Sequence, residues 1–295
     1  ACSMTTLTAL TRSAGVSVIH LQRTPAFKEK EKVMHHLVMF SGGIASWGAA
    51  RRCVEKYGHE NVTLLFSDTM IEDEDLYRFL HQTADMLKAP LVILADGRTP
   101  WEVFKDVRFL GNSRVDPCSR ILKREITRKW LEDAYGPEEV TVHLGMDWTE
   151  MHRMDRARPH WEPYTIDAPL LWNPMIGKPQ LIADLAELKI ELPKLYKLGF
   201  QHNNCGGFCI KAGHANFKHL LETMPERYAE HEREEESLRE YLDSDVAVLK
   251  DRTGGESKPL TLRNFRLRLE DKNAQQPMLF DEFDWGGCGC FTDGE

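Results

Sequence analysis

Short apolar runs alternate with longer stretches of mixed polarity through the first half of the chain. HLVMF (36–40), VTLLF (62–66), LVIL (91–94) and VTVHLG (140–145) read as strands. They are nearly continuous rather than alternating, the pattern of strands buried on both faces. Between them, 44–57, about 72–87 and about 119–134 carry helical spacing. Together these predict an α/β fold, a parallel twisted sheet with helices on both faces. Ligands on such sheets bind beyond the carboxyl ends of the strands. That rim should hold Ser41, Asp68, Asp96 and Gly145.

The second half changes character. Proline-containing loops are expected from Pro159 to Pro179, then helices at about 178–188, 193–198, 211–224 and 225–242. ERYAEHEREEESLREYLDSD reads as a solvated helix face, and GGESKPLTLRNFRLRL as a turn and a helix. The segment FDEFDWGGCGCFTDGE is aromatic and glycine-rich. No internal repeat is present. The expected division is a leader over 1–34, a sheet domain over 35–160, and a mostly helical cover with a cysteine-rich loop and tail over 161–295. LTALTRSAGVSVIHLQ, in the leader, is weakly amphipathic without a continuous apolar stretch or a clear cleavage site. It reads as loosely ordered rather than as a secretory signal.

Composition changes this picture little. Of 295 residues, 42% are hydrophobic and 28% charged, ordinary for a globular protein. The net charge of -8 does not advertise nucleic-acid binding. Locally, however, Lys105–Lys129 holds eight Lys or Arg against three Asp or Glu, a stripe suited to phosphates. No apolar run reaches the roughly 18 residues of a membrane span, so no membrane partner is expected. Without an export signal, a cytoplasmic location with reduced thiols is expected.

The chemistry gathers in two places. In SGGIAS (41–46) an apolar strand stops, two glycines follow, and a helix of small residues begins. Glycines let a ligand approach the main chain, and the unpaired amides opening a helix favour an anion. The loop lacks the Gly-Lys-Ser/Thr of a Walker loop and is not G-x-G-x-x-G. The bland alternative is a tight strand-to-helix turn. The second place is the cysteines. Cys53 lies in an apolar helical pattern and reads as core, and Cys2 as incidental. Cys118 follows Pro117 at a helix start beside cations, which favours a thiolate; a buried structural cysteine is the alternative. HNNCGGFC spaces Cys205 and Cys209 as C-x3-C, and WGGCGC adds Cys288 and Cys290. A four-iron–four-sulfur cluster on Cys118, Cys205, Cys209 and a tail cysteine, with Cys288 as the expected fourth ligand, accounts for these groups. Tetrahedral zinc is the runner-up, and unligated thiols or a transient disulfide remain open. His202 and His214 flank the C-x3-C segment as ligands, proton donors or hydrogen-bonded surface groups. Trp101, Trp148, Trp161, Trp172 and Trp285 pack the cover or stack a base.

SGGIAS resembles the SGGxxS loop of the PP-loop ATP pyrophosphatases, the adenine nucleotide alpha-hydrolases. FSDTMIEDEDLYRFL and LGMDWTEMHRMDRAR are similar to segments of the phosphoadenylyl-sulfate (PAPS) reductase-like branch, and the likeness covers about 35–215. It implies that Ser41, Gly42, Gly43 and Ser46 hold the pyrophosphate end of ATP or PAPS. Asp68 is then placed near the nucleotide or its magnesium, and Gly145, Arg120 and Arg153 among the nucleotide contacts. Glu150 and Arg156 complete the family's glycine–acid–arginine pattern. Glu72, Asp73, Glu74 and Asp75 read mainly as a helix N-terminus.

Adenylyl-sulfate reductases and several tRNA- and DNA-thiolating members carry such clusters beside the nucleotide. The chain departs from the reductases in three ways. Met146 stands where they have an arginine, Cys118 where they have tandem cysteines, and their C-terminal Glu-Cys-Gly-Leu-His is absent. GGCGCF could replace that tail, with Cys288 on iron and Cys290 free to carry sulfur. The implied function is ATP-dependent sulfur transfer to tRNA, DNA or a small molecule, supplied by a cysteine-desulfurase-type donor. Cys290, Cys118 and Asp68 are the catalytic candidates. The alternatives are reduction of PAPS or adenylyl-sulfate to sulfite by thioredoxin-like thiols, and a non-catalytic nucleotide-binding subunit of a complex.

Overall fold

The structure, a computed structural model, describes residues 17–19, 34–112, 114–252, 255–271 and 285. Its sheet contains β1 (Ser17–Ile19), β2 (His35–Met39), β3 (Val62–Asp68), β4 (Leu91–Ala95), β5 (Val140–His143) and β6 (Thr165–Asp167). Five of them run parallel in the order β4-β3-β2-β5-β6, and β1 pairs antiparallel outside β4, with Val18 opposite Leu94. The chain winds outward from β2 through β3 to β4, then returns to the other side of β2 with β5 and β6. The order therefore reverses between β2 and β5, where their carboxyl ends leave a crevice.

The expected burial of the strands on both faces holds. On β2, Val38 joins one hydrophobic cluster and Leu37 and Met39 another, as a two-residue period requires. The first cluster lies under α1 (Ile44–Tyr57) and α2 (Glu74–Leu87), where Trp47 and Phe79 are fully buried. Leu181 and Leu185 of α7 (Lys178–Glu187) complete it. The second lies under α5 (Ile126–Ala134) and α6 (His152–Trp161), through Ile126, Leu131, Met154 and Trp161. A third gathers the remaining elements: α3 (Pro100–Asp106), α8 (Lys194–Lys197), α9 (His214–Thr223), α10 (Pro225–Leu242) and α11 (Leu262–Glu270), with the hairpin β7 (Leu249–Asp251) and β8 (Lys258–Leu260). Each fully buried Phe or Leu in these clusters contributes about 1.5–3 kcal/mol.

Three expectations are corrected. The segment expected as loops from Pro159 carries α6 to Trp161 and then β6, so the sheet runs past residue 160. Three residues of strand are too few to show a period, and Pro159 in the last turn of α6 reads in sequence as a breaker. The leader is not wholly without pairing, because β1 lies within it; its other residues up to 33 lie outside the described residues. Finally, α10 is not only a solvated face. Tyr228, His231, Glu235 and Leu238 form a buried stripe at helical spacing. Glu235 accepts the main-chain N–H groups of Val248 (2.7 Å) and Leu262 (2.6 Å), tying the hairpin and α11 to α10. No helix among the described residues is long and apolar enough to cross a membrane.

Candidate functional site

The crevice at the strand-order reversal is a cavity of about 140 Å³. Met39, Ser41, Gly43 and Ser46 line it from the end of β2 and the start of α1. Leu144, Gly145, Met146, Glu150 and Arg153 line it from beyond β5. Two backbone approaches shape this corner. Gly42 has φ +75°, and a Cβ there would sit 2.8 Å from Leu76 Cγ. A Cβ on Gly145 would sit 2.7 Å from the Ser46 amide nitrogen and Cα, main chain against main chain. Only glycine permits both.

The loop offers donors without adding charge. Gly43 caps α1 with no side-chain hydrogen bond, and the Ser46 hydroxyl donates to the Gly43 carbonyl (2.9 Å). The Ser41 hydroxyl donates to Ser46 Oγ at 3.3 Å. The positive end of a fourteen-residue helix opens here. Lys123 and Arg153 add cationic charge, with Arg153 also bonded to Glu150. Tyr196, His202, Asn203 and Asn204 close the cavity from the cover. Such a surface suits an anion.

A second pocket, of about 20 Å³, is lined by Cys118, Cys205 and Cys209 together with Thr69, Asp116, Lys123 and Lys211. Cys118 lies in the first turn of α4 (Pro117–Ser119), after Pro117 at its start, as the sequence implied. A π-helical turn, Arg120–Glu125, continues to α5 and carries Lys123 inward, where it is 6% exposed. Lys123 lines both pockets. Cys205, Gly206 and Gly207 have three successive positive φ values, 49°, 58° and 87°. This left-handed turn curls the main chain so that Cys205 and Cys209 line one wall. Asp116, the N-cap residue of α4, pairs with Arg124 (3.2 Å) and Lys211 (3.5 Å).

Ser41, Gly43, Ser46, Gly145 and Arg153 thus meet at one cavity, and Cys118, Cys205 and Cys209 at its neighbour. Gly42 stands behind the first, its carbonyl accepting from Asn203 Nδ2 (2.9 Å). Like Gly42, two further expected nucleotide contacts, Asp68 and Arg120, line neither pocket. Asp68 does end β3 on the rim, but the Tyr77 hydroxyl donates to its carboxylate (2.9 Å), as does the Met70 amide (2.8 Å). Arg120 pairs with Glu125 at 2.7 Å. Cys288 and Cys290 lie outside the described residues. Among the described residues, no group of three or more His, Cys, Asp or Glu is disposed to hold a metal ion.

Sequence reasoning passed over Lys123, Tyr196, Asn203 and Asn204. In sequence Lys123 is one charge in a basic stripe, and the asparagines are loop residues beside a cysteine. It also misread Glu72. Asp73 caps α2, with Glu74 and Asp75 in its first turn, but Glu72 turns inward and is buried. It accepts the Thr69 hydroxyl (2.9 Å) and the main-chain N–H of Cys205. Burial pushes its carboxyl up, with Lys123 opposing.

No protein-family model and no curated protein matches the chain. Among solved structures it is similar to the NH3-dependent NAD synthetase of Campylobacter jejuni subsp. jejuni NCTC 11168 in complex with the nitrate ion, at 15% identity and a TM-score of 0.37, over 71% of this chain and 84% of that one. It is also similar to the phosphoadenylyl-sulfate (PAPS) reductase of Candida auris in its phosphate complex, at 18% identity and a TM-score of 0.41, over 57% of this chain and 78% of that one.

Proposed function

We propose that the chain is a PP-loop enzyme that binds an adenine nucleotide in the crevice between β2 and β5 and transfers sulfur to an acceptor activated by ATP. The observation that carries this reading is the adjacency of an anion cavity and a three-cysteine pocket that share Lys123. An isolated phosphate loop would not need thiols beside it.

In this reading Ser41, Ser46 and the amides opening α1 hold the pyrophosphate end of ATP, and Lys123 and Arg153 offset its charge. An oxygen of the acceptor, a nucleic acid or a small molecule, attacks the α-phosphorus, and pyrophosphate leaves toward the loop. The outer sulfur of a persulfide carried on Cys290 then attacks the acceptor carbon, the C–O bond breaks and AMP leaves. Two equivalents of an external thiol cleave the remaining S–S bond to free the thiolated acceptor. Cys118, Cys205 and Cys209 line one small pocket, and thiols are the donor type of a sulfur-ligated metal, although as they stand the described residues form no three-ligand group. Cys118, Cys205 and Cys209 would hold a four-iron–four-sulfur cluster, or zinc, with Cys288 as fourth ligand and Cys290 left to carry sulfur. A bound iron–sulfur cluster would supply a sulfur-binding metal beside the nucleotide. Trp285 rests against His219 of α9, with ring centroids 5.4 Å apart.

Anaerobic purification, an absorbance spectrum and iron and zinc analysis test the metal reading. Bare thiols would remove it. The reaction is tested separately. Pyrophosphate release from ATP that depends on an acceptor and a sulfur donor supports transfer, whereas sulfite release from PAPS with a thiol donor replaces it with reduction. Tight ATP binding without pyrophosphate release for any candidate acceptor points to a non-catalytic subunit.

A further inference from the structure

The segment from His202 to Cys209 runs from one pocket to the other, and Asn203 ties it to the phosphate loop. Asn203 is 2% exposed. Its Nδ2 donates to the Gly42 carbonyl at 2.9 Å. A carbonyl only accepts, so this bond fixes the orientation of the amide. Its Oδ1 is then a buried acceptor with no hydrogen-bond partner among the described residues. An unmet acceptor in such a place is unfavourable, because it has lost water without gaining a donor. The residue lines a cavity otherwise furnished with donors from Ser41, Lys123 and Arg153. A phosphate oxygen cannot satisfy Oδ1, because it too only accepts. A hydroxyl or amino hydrogen of a nucleotide can.

Two residues further on, the left-handed turn begins. The Gly207 amide donates to the Asn204 carbonyl (3.1 Å), and the Phe208 amide to the Cys205 carbonyl (2.9 Å). Non-glycine Cys205 at φ +49° is held in a sparsely populated region. Its place therefore depends on what anchors the chain leading into the turn. At the residue itself Glu72 takes the Cys205 N–H. Two residues earlier the anchor is Asn203.

We propose that Asn203 is a positioning residue shared by the two pockets. It grips the phosphate loop through Nδ2, accepts a hydroxyl or amino hydrogen of the bound nucleotide through Oδ1, and so sets the turn that carries Cys205 and Cys209. This inference rests on the reading of the first pocket as a nucleotide site.

The test is amide hydrogen exchange on the full chain with and without MgATP, comparing wild type with Asn203→Ala and the near-isosteric Asn203→Asp. In wild type, ATP slows exchange both at 41–46 and at 205–209, by at least about five-fold in the second segment. In both variants ATP binds more weakly, so MgATP is raised until protection at 41–46 saturates; at that saturation protection at 205–209 stays under two-fold. A thermal melt shows that each variant is folded, and Asn203→Asp alone decides should the alanine variant unfold. Undiminished protection at 205–209 in the folded variants overturns the coupling and leaves the nucleotide reading standing. Absence of protection at 41–46 in wild type overturns both.

Discussion

At the scale of single residues, two positions make separable demands. The Gly145 site faces main chain, which cannot rotate away as a flexible side chain can. Gly145→Ala should therefore push β5 and the start of α1 apart. The expected cost is about 1–3 kcal/mol of stability, with ATP affinity at least ten-fold weaker because both walls of the cavity shift. Calorimetric titration and a thermal melt check it; unchanged affinity would mean that the corner is not the nucleotide site. Glu235 makes a different demand. Its carboxylate meets two main-chain donors, and an amide has only one acceptor oxygen. Glu235→Gln should cost about 1–3 kcal/mol through one unmet N–H. Burial pushes the Glu235 carboxyl up to about 7, above its unfolded value of roughly 4.3. Its contribution is thus fully present below pH 4.3 and is lost as pH rises through 7. Urea unfolding should show a larger gap between wild type and Glu235→Gln at pH 5 than at pH 8.

At the scale of elements, the sequence was legible where burial imposed a period. The helix 44–57 and the cores of four strands emerge where their apolar runs place them. The rim residues Ser41, Asp68, Asp96 and Gly145 follow from the strand ends alone. β6 and the hairpin β7–β8 were not legible, because three-residue strands are defined by their partners rather than by their own pattern. The buried side of α10 was hidden for another reason: two of its four inward residues are His231 and Glu235, which read as solvated until their partners are known. The same concealment applies to the histidines joining β2 to β5. His36 Nδ1 and His143 Nε2 lie 2.9 Å apart, so one must donate to the other and at least one is neutral. Burial lowers both to about 4, aided by the charge of His35 at His36 and of His36 at His143, with Lys56 acting in the same sense and Asp167 against it. The stability they lend is present above the unfolded pKa of about 6.5 and is lost as pH falls through 4. His36→Phe keeps a ring over Tyr57, which His36 stacks at 3.5 Å, and removes one titrating group. Its unfolding free energy should fall less steeply between pH 6.5 and 4 than that of wild type; an equal slope would show that the pair does not govern acid unfolding.

At the scale of the whole molecule, the two pockets draw on different lengths of chain. The anion cavity is complete between Met39 and Asn204, built on the sheet and closed by the first part of the cover. The cysteine pocket takes its described walls from Thr69 to Lys211, and its proposed fourth ligand from the tail. The components should therefore separate on truncation. A chain ending after Trp285 keeps the ring that rests on His219 and loses Cys288 and Cys290. Because each element lining the anion cavity remains, its affinity for ATP should stay within about two-fold of wild type. Its iron or zinc content should fall below one-fifth of the full chain's, since three thiols leave a tetrahedral site one ligand short. Separate Cys288→Ser and Cys290→Ser chains then divide the tail. Loss of metal with the first alone, and loss of turnover with retained metal in the second, fits one cysteine as ligand and the other as sulfur carrier. Full metal content in the truncated chain would instead place the fourth ligand within the body of the fold and leave the tail cysteines without the assigned role.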